Sequence, residues 1–164
     1  MSRQLYIVRH AKSSWDYDDI KDIDRPLCTR GINDAATMAE RLKSQDHIPS
    51  LMISSPACRA LNTATIFSRI LKVPCEQMII VEKIYQGGMH EILNILEKVD
   101  DSYSSVMIFG HNPDFTMLAN HFLKHPVDNV PTAGVVTLNF SSGSWKDLKK
   151  LKPESEHFDF PKKV

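Results

Sequence analysis

Near the start of the chain stands Leu5-Tyr6-Ile7-Val8-Arg9-His10. Four consecutive apolar residues read as a strand, and the run ends on a cation and an imidazole. Short apolar runs recur at 51–54, 78–81, 106–109 and 135–140, and between them the apolar spacing turns helical. Ala35, Ala36, Ala39 and Leu42 share one stripe of residues 32–44, and Ala60, Leu61, Ala64, Phe67, Ile70 and Leu71 share one stripe of residues 57–71. Residues 91–99 and 114–124 repeat the pattern. Parallel neighbours need a crossover, which a helix supplies, so this alternation predicts a three-layer α/β/α sandwich around a mostly parallel central sheet.

Composition narrows what such a sandwich does. At about 100–200 residues per domain, 164 residues predict a single domain over residues 1–164. Twenty Lys and Arg balance twenty Asp and Glu, which leaves no basic footprint for nucleic acid. The early apolar run at 5–8 is far shorter than a signal-peptide core or the roughly 20 residues of a membrane span, so no membrane partner and a cytoplasmic location are expected. Cys28, Cys58 and Cys75 are odd in number and lack C-x-x-C spacing, which predicts reduced thiols and neither disulfide framework nor zinc knuckle. None has an Arg six positions on, so the cysteine-phosphatase loop is absent as well.

In open α/β sheets ligands bind outside the carboxyl ends of the strands. Arg9 and His10 stand at such an end. Ser54-Ser55-Pro56-Ala57-Cys58-Arg59 follows the second strand, with Ser55 as the expected N-cap and Pro56 in the first turn, which puts Arg59 in the opening turn of the helix. A cation there opposes the helix dipole unless an anion is shared between it and the free N–H groups. After the fourth strand comes Gly110-His111-Asn112-Pro113-Asp114, with Asn112 as N-cap and Pro113 at the first helical position. Two Arg and two His thus converge from three strands. Arginines grip phosphate oxygens, one imidazole can attack phosphorus, and the other can donate to the developing charge.

Other features carry weaker signals. The segment 16–24 holds Asp16, Asp18, Asp19, Asp22 and Asp24 against Lys21 alone and reads as a solvated acidic loop. The tail from Lys146 reads as a surface segment packed in part through Leu148, Leu151, Phe158 and Phe160. Gly87-Gly88 reads as a loop. His121 and His125, four apart on an expected helix, lack the Glu of H-E-x-x-H, so no metal is expected.

Four ordered motifs, VRHAKSSW (8–15), RPLCTRGINDA (25–35), SSPACRALNTA (54–64) and GHNP (110–113), resemble those of the histidine phosphatase superfamily, the phosphoglycerate mutase-like fold. The short chain is similar to the SixA-type branch of protein phosphohistidine phosphatases. The resemblance implies a histidine phosphatase that needs no cofactor, with His10 as the phosphorylated nucleophile and Arg9, Arg59 and His111 as the rest of the catalytic and phosphate-binding set. Ser13 occupies a position that often adds a hydroxyl contact to the substrate phosphate. Two positions depart from the family pattern, Ala11 where a Gly is usual and Asp16 where an Asn is frequent. Many superfamily members carry a general acid after the third strand, and Glu82 is the candidate here. The implied partner is a phosphohistidine-bearing protein of a phosphorelay or phosphotransfer chain; the alternative is a small phosphorylated substrate, hydrolysed as a phosphoester by the same nucleophile.

Overall fold

The computed structural model describes residues 1–163. Strands β1 (Arg3–Arg9), β2 (Leu51–Ser54), β3 (Met78–Ile80), β4 (Ser105–Gly110), β5 (Val135–Phe140) and β6 (Ser155–Asp159) form one sheet in the order β3-β2-β4-β1-β5-β6. The pairs β1/β4, β4/β2 and β2/β3 are parallel, whereas β5 runs antiparallel to both β1 and β6. Helices α1 (Thr29–Ser44), α2 (Cys58–Leu71), α3 (Met89–Glu97) and α4 (Asp114–Phe122) supply the crossovers. This is the mostly parallel, phosphoglycerate mutase-like α/β architecture expected. Among the described residues no helix is long and apolar enough to cross a membrane.

Alternation along the strands builds two cores. Tyr6 and Val8 face Ala35, Met38 and Ala39 of α1 and Ala64 and Phe67 of α2. Leu5 and Ile7 face the other way, onto Ile92 and Leu96 of α3 and Phe115, Leu118 and Phe122 of α4. A strand covered on both sides can afford no polar residue until it ends, which is why the apolar run at 5–8 is unbroken.

Two expectations are corrected. The tail packs through Leu148, Leu151 and Phe158 as expected, but it is more than a surface segment: a 3-10 turn at Trp145–Lys150 also buries Trp145, and β6 pairs with β5 through residues 155–159. As an edge strand with intermediate or exposed residues throughout, β6 offers no apolar run to read. Helix α4 stops at Phe122, so His121 and His125 do not share a helix face, and His121 Nε2 lies 3.1 Å from the Lys149 carbonyl oxygen. Among the described residues no three His, Cys, Asp or Glu side chains gather as metal ligands.

The register sets the site. Arg9 pairs with Gly110 and Ser54 with Phe109, so β1, β2 and β4 end at one level. The residues that follow them, His10, Ser55 and His111, emerge along one rim.

Candidate active site

The turn after β1 is held from several directions. His10 N–H donates to the Gly110 carbonyl (3.0 Å), and the His10 carbonyl accepts from Ala133 N–H (3.0 Å). Ala11 N–H donates to Thr63 Oγ1 (2.9 Å), whose hydroxyl donates to the Arg59 carbonyl (2.7 Å). Thr63 therefore ties the His10 turn to the turn of α2 that carries Arg59. Gly31 of α1 packs on the same segment, where an added Cβ would lie 2.1 Å from the Lys12 carbonyl oxygen. Only glycine permits that approach.

The imidazole of His10 is buried, with Nδ1 2.7 Å from the Ala11 carbonyl oxygen. A carbonyl only accepts, so the hydrogen-bond logic assigns the hydrogen to Nδ1 and leaves the Nε2 lone pair available. Burial pushes the His10 pKa down to about 3; the hydrogen bond to the Ala11 carbonyl opposes it, and His111, Arg59 and Arg9 each add a smaller downward push. The ring is neutral at pH 7 and has one nucleophilic nitrogen.

His111 lies beside it, ring centroids 5.2 Å apart. Its Nε2 is 2.8 Å from Ser55 Oγ, which also accepts from Ala57 N–H at 3.2 Å. Burial and then Arg59 lower the His111 pKa to about 4. Arg9 is anchored by Nη1 on the Val130 carbonyl (2.9 Å). Among the described residues three buried side-chain nitrogens lack a hydrogen-bond partner, and two of them, Arg9 Nε and His111 Nδ1, are here. Buried polar groups are rarely left unpaired, so their pairing here points to a polar ligand.

Arg59 is the second residue of α2, in the opening turn as expected, and its anion is a carboxylate from another loop: Nη2 donates to Asp22 Oδ2 (3.0 Å) and Nη1 to the Asp22 carbonyl (2.7 Å). Tyr85 Oη donates to the same Oδ2 (2.6 Å), and Arg25 Nη1 to Oδ1 (3.0 Å). The Tyr85 hydrogen bond, then that from Arg59, hold the Asp22 carboxyl at about 2 despite partial desolvation, so it is ionised. Arg25 is itself positioned by the indole of Trp15, 3.4 Å from Cζ to the ring centroid.

A cleft of about 310 Å³ opens between Asp22, Arg59, Tyr85, Gly87, Gly88 and His111. Gly88, at φ 89°, precedes α3 and donates its N–H to Asp114 Oδ2 (3.1 Å). A similar cleft of about 330 Å³ lies around Arg3, Gln4 and Ser105, but no His lines it and Arg3 is engaged by Asp101 and backbone carbonyls.

The structure thus brings together His10, Arg9, Arg59 and His111. Ser13 is buried nearby, with Oγ accepting from Arg25 Nη2. Glu82 is not brought in: it is exposed on the 3-10 turn Glu82–Ile84 and does not line the cleft. Asp16 is exposed as well. Two expected caps shift by a residue or more. Helix α2 begins after Ala57, releasing the Ser55 hydroxyl for His111. Helix α4 begins after Pro113, and Asn112 Oδ1 still accepts from Thr116 N–H (3.1 Å). Sequence reading missed Asp22, Arg25, Ser55, Thr63 and Tyr85. Arg25 stands in a quoted motif, whereas Asp22 is one of five acids alike in sequence, and its contacts with Arg59, Tyr85 and Arg25 separate it from them.

Comparison with known proteins gives the family and the fold. The model of the histidine phosphatase superfamily (branch 1) matches residues 5–90, which include His10 and Arg59. An uncharacterised chloroplast protein of Arabidopsis thaliana is 31% identical over 159 residues, 92% of this chain and 72% of that one. An uncharacterised protein of Mycobacterium tuberculosis is 26% identical over 152 residues, 87% and 92% of the two chains. Among solved structures, a protein of Nakamurella multipartitia named after SixA superposes with a TM-score of 0.80 at 23% identity, over 99% of this chain and 98% of that one. The protein histidine phosphatase SixA complexed with tungstate gives 0.77 at 21% identity, over 96% and 97%. At such identities these structures speak to the fold, while the sequence match speaks to descent. The chain belongs to the histidine phosphatase superfamily, branch 1.

Proposed function

We propose that the chain acts as one catalytic domain, a phosphohistidine phosphatase with His10 as its nucleophile. The observation that carries this reading is the lock of His10 Nδ1 on the Ala11 carbonyl, which presents a neutral Nε2 beside Arg9, Arg59 and His111. In the first step Nε2 bonds to phosphorus as the bond from phosphorus to the leaving group breaks, and the leaving group keeps the electron pair and takes a proton from solvent. In the second, water attacks phosphorus, the P–Nε2 bond breaks, its pair returns to the ring, and orthophosphate leaves. The Nδ1–H bond persists throughout and favours the cationic phosphoimidazole. Arg9, Arg59 and His111 stabilise the charge on the transferring oxygens, and Ser13 adds its hydroxyl through Arg25.

Preference for P–N over P–O bonds follows from the acids. Glu82 lies away from the cleft, and Asp22 is held ionised, so neither supplies a proton to an alkoxide in the resting site. An imidazole leaving group, with pKa about 6.5, departs far more readily without one. Trp15, 73% exposed and stacked on the Arg25 that binds Asp22, offers an apolar surface beside the site that favours a protein substrate, and the name of a structural neighbour, a protein histidine phosphatase, supports the same class. The test is rapid-quench intact mass of wild type and His10→Ala with a histidine-phosphorylated protein, alongside phosphate release from an alkyl phosphate monoester. A transient phosphate adduct on wild type alone, with the phosphoprotein strongly preferred, is the expected result. Equal phosphate release by both proteins overturns the nucleophile, and comparable turnover of alkyl phosphates overturns the P–N preference.

A further inference from the structure

In the resting protein both terminal nitrogens of Arg59 are engaged. Nη2 and Nη1 both bind Asp22, Tyr85 Oη is bonded to the same carboxylate oxygen, and Arg25 grips the other. Three donors from three separate segments converging on one carboxylate make an anion seat, and the seat faces the cleft beside His111. We propose that the Asp22 carboxylate is a built-in placeholder for the substrate phosphoryl group, which must displace it from Arg59 to reach His10. The inference rests on the reading of Arg59 as a phosphate ligand, though not on the identity of the leaving group.

The two sides of this contact differ in how easily they move. Arg59 is on a helix, with its side chain 9% exposed, and Thr63 fixes its turn. Asp22 is on a three-residue 3-10 turn within the loop at 16–24, and its side chain is 49% exposed. The carboxylate can therefore swing into water, exchanging its hydrogen bonds for hydration, while the guanidinium stays with Nη1 on the Asp22 carbonyl. Its departure also frees the Tyr85 hydroxyl and one arm of Arg25 to donate to the incoming oxygens. A phosphoryl dianion offers more charge and more acceptor oxygens than the carboxylate it replaces, whereas a monoanion offers no such gain. Asp22 is in this way a specificity-determining residue that screens the pocket against singly charged anions.

The experiment is a 31P titration of the whole protein with inorganic phosphate at pH 7.5, in wild type, Asp22→Asn, Asp22→Ala and Arg59→Ala. Removing the competing charge is expected to tighten phosphate binding about three- to tenfold in both Asp22 variants, the range set by a half-exposed ion pair with charge-assisted hydrogen bonds. Formate, a monoanion, is expected to compete with phosphate in the variants and not in wild type. Unchanged or weaker phosphate binding in both Asp22 variants, with Arg59→Ala weakening it, overturns the placeholder and leaves the pocket standing. No effect of Arg59→Ala overturns the pocket itself, and the placeholder with it. Far-UV circular dichroism of each variant reports that it is folded.

Discussion

Replacing Thr63 by Val tests how the site is built. Valine keeps the shape of the side chain and removes only the hydroxyl that accepts from Ala11 N–H and donates to the Arg59 carbonyl. Thr63 is fully buried, so no water replaces it. The Arg59 carbonyl keeps its bond within α2, but Ala11 N–H loses its acceptor. A buried unsatisfied N–H costs about 1–3 kcal/mol. At about 2–4 °C per kcal/mol for a chain of this size, the melting temperature should fall by about 4–8 °C for a mid-range loss of 2 kcal/mol. Because the bond couples the His10 turn to Arg59, kcat on a histidine-phosphorylated peptide should fall by about tenfold, with Thr63→Ser recovering most of both losses. Differential scanning calorimetry and steady-state kinetics read the two effects. A Val variant that melts within about 1 °C of wild type and keeps its kcat refutes the coupling.

Stability should also report the buried imidazoles. The folded pKa values of His10 and His111, about 3 and about 4, lie below the unfolded value of 6.5, so between those limits the unfolded chain binds more protons. Their contribution is complete above pH 6.5 and is lost as pH falls through about 4 for His111 and about 3 for His10, at up to about 1.4 kcal/mol per pH unit for each ring. Urea unfolding at pH 7, 6 and 5 should show a shallower loss in His10→Gln than in wild type, and identical slopes would contradict the burial of a neutral ring. Gly31→Ala places a methyl 2.1 Å from the Lys12 carbonyl oxygen, and a thermal melt should show about 1–3 kcal/mol of destabilisation together with reduced activity. A Gly31→Ala protein that melts and turns over like wild type would show that α1 shifts freely away from the site.

Local pattern made most of the scaffold legible. The runs at 51–54 and 135–140 coincide with β2 and β5, because buried strands must be apolar wherever helices cover both faces. Met78, at the edge, begins a strand one residue shorter than its run, and β6 gives no signal because one sheet edge needs no second apolar face. The sequence by itself determined that His10, Arg59 and His111 follow strands, and therefore that they meet where parallel strands end. Tertiary structure alone decided which of five similar aspartates reaches Arg59, that Ser55 serves His111 instead of capping α2, and that Glu82 faces solvent. Periodicity reports only which way a side chain leaves its own element. A contact between a loop carboxylate at 22 and a helix guanidinium at 59 depends on how two crossovers pack against one sheet, and no local spacing encodes that distance.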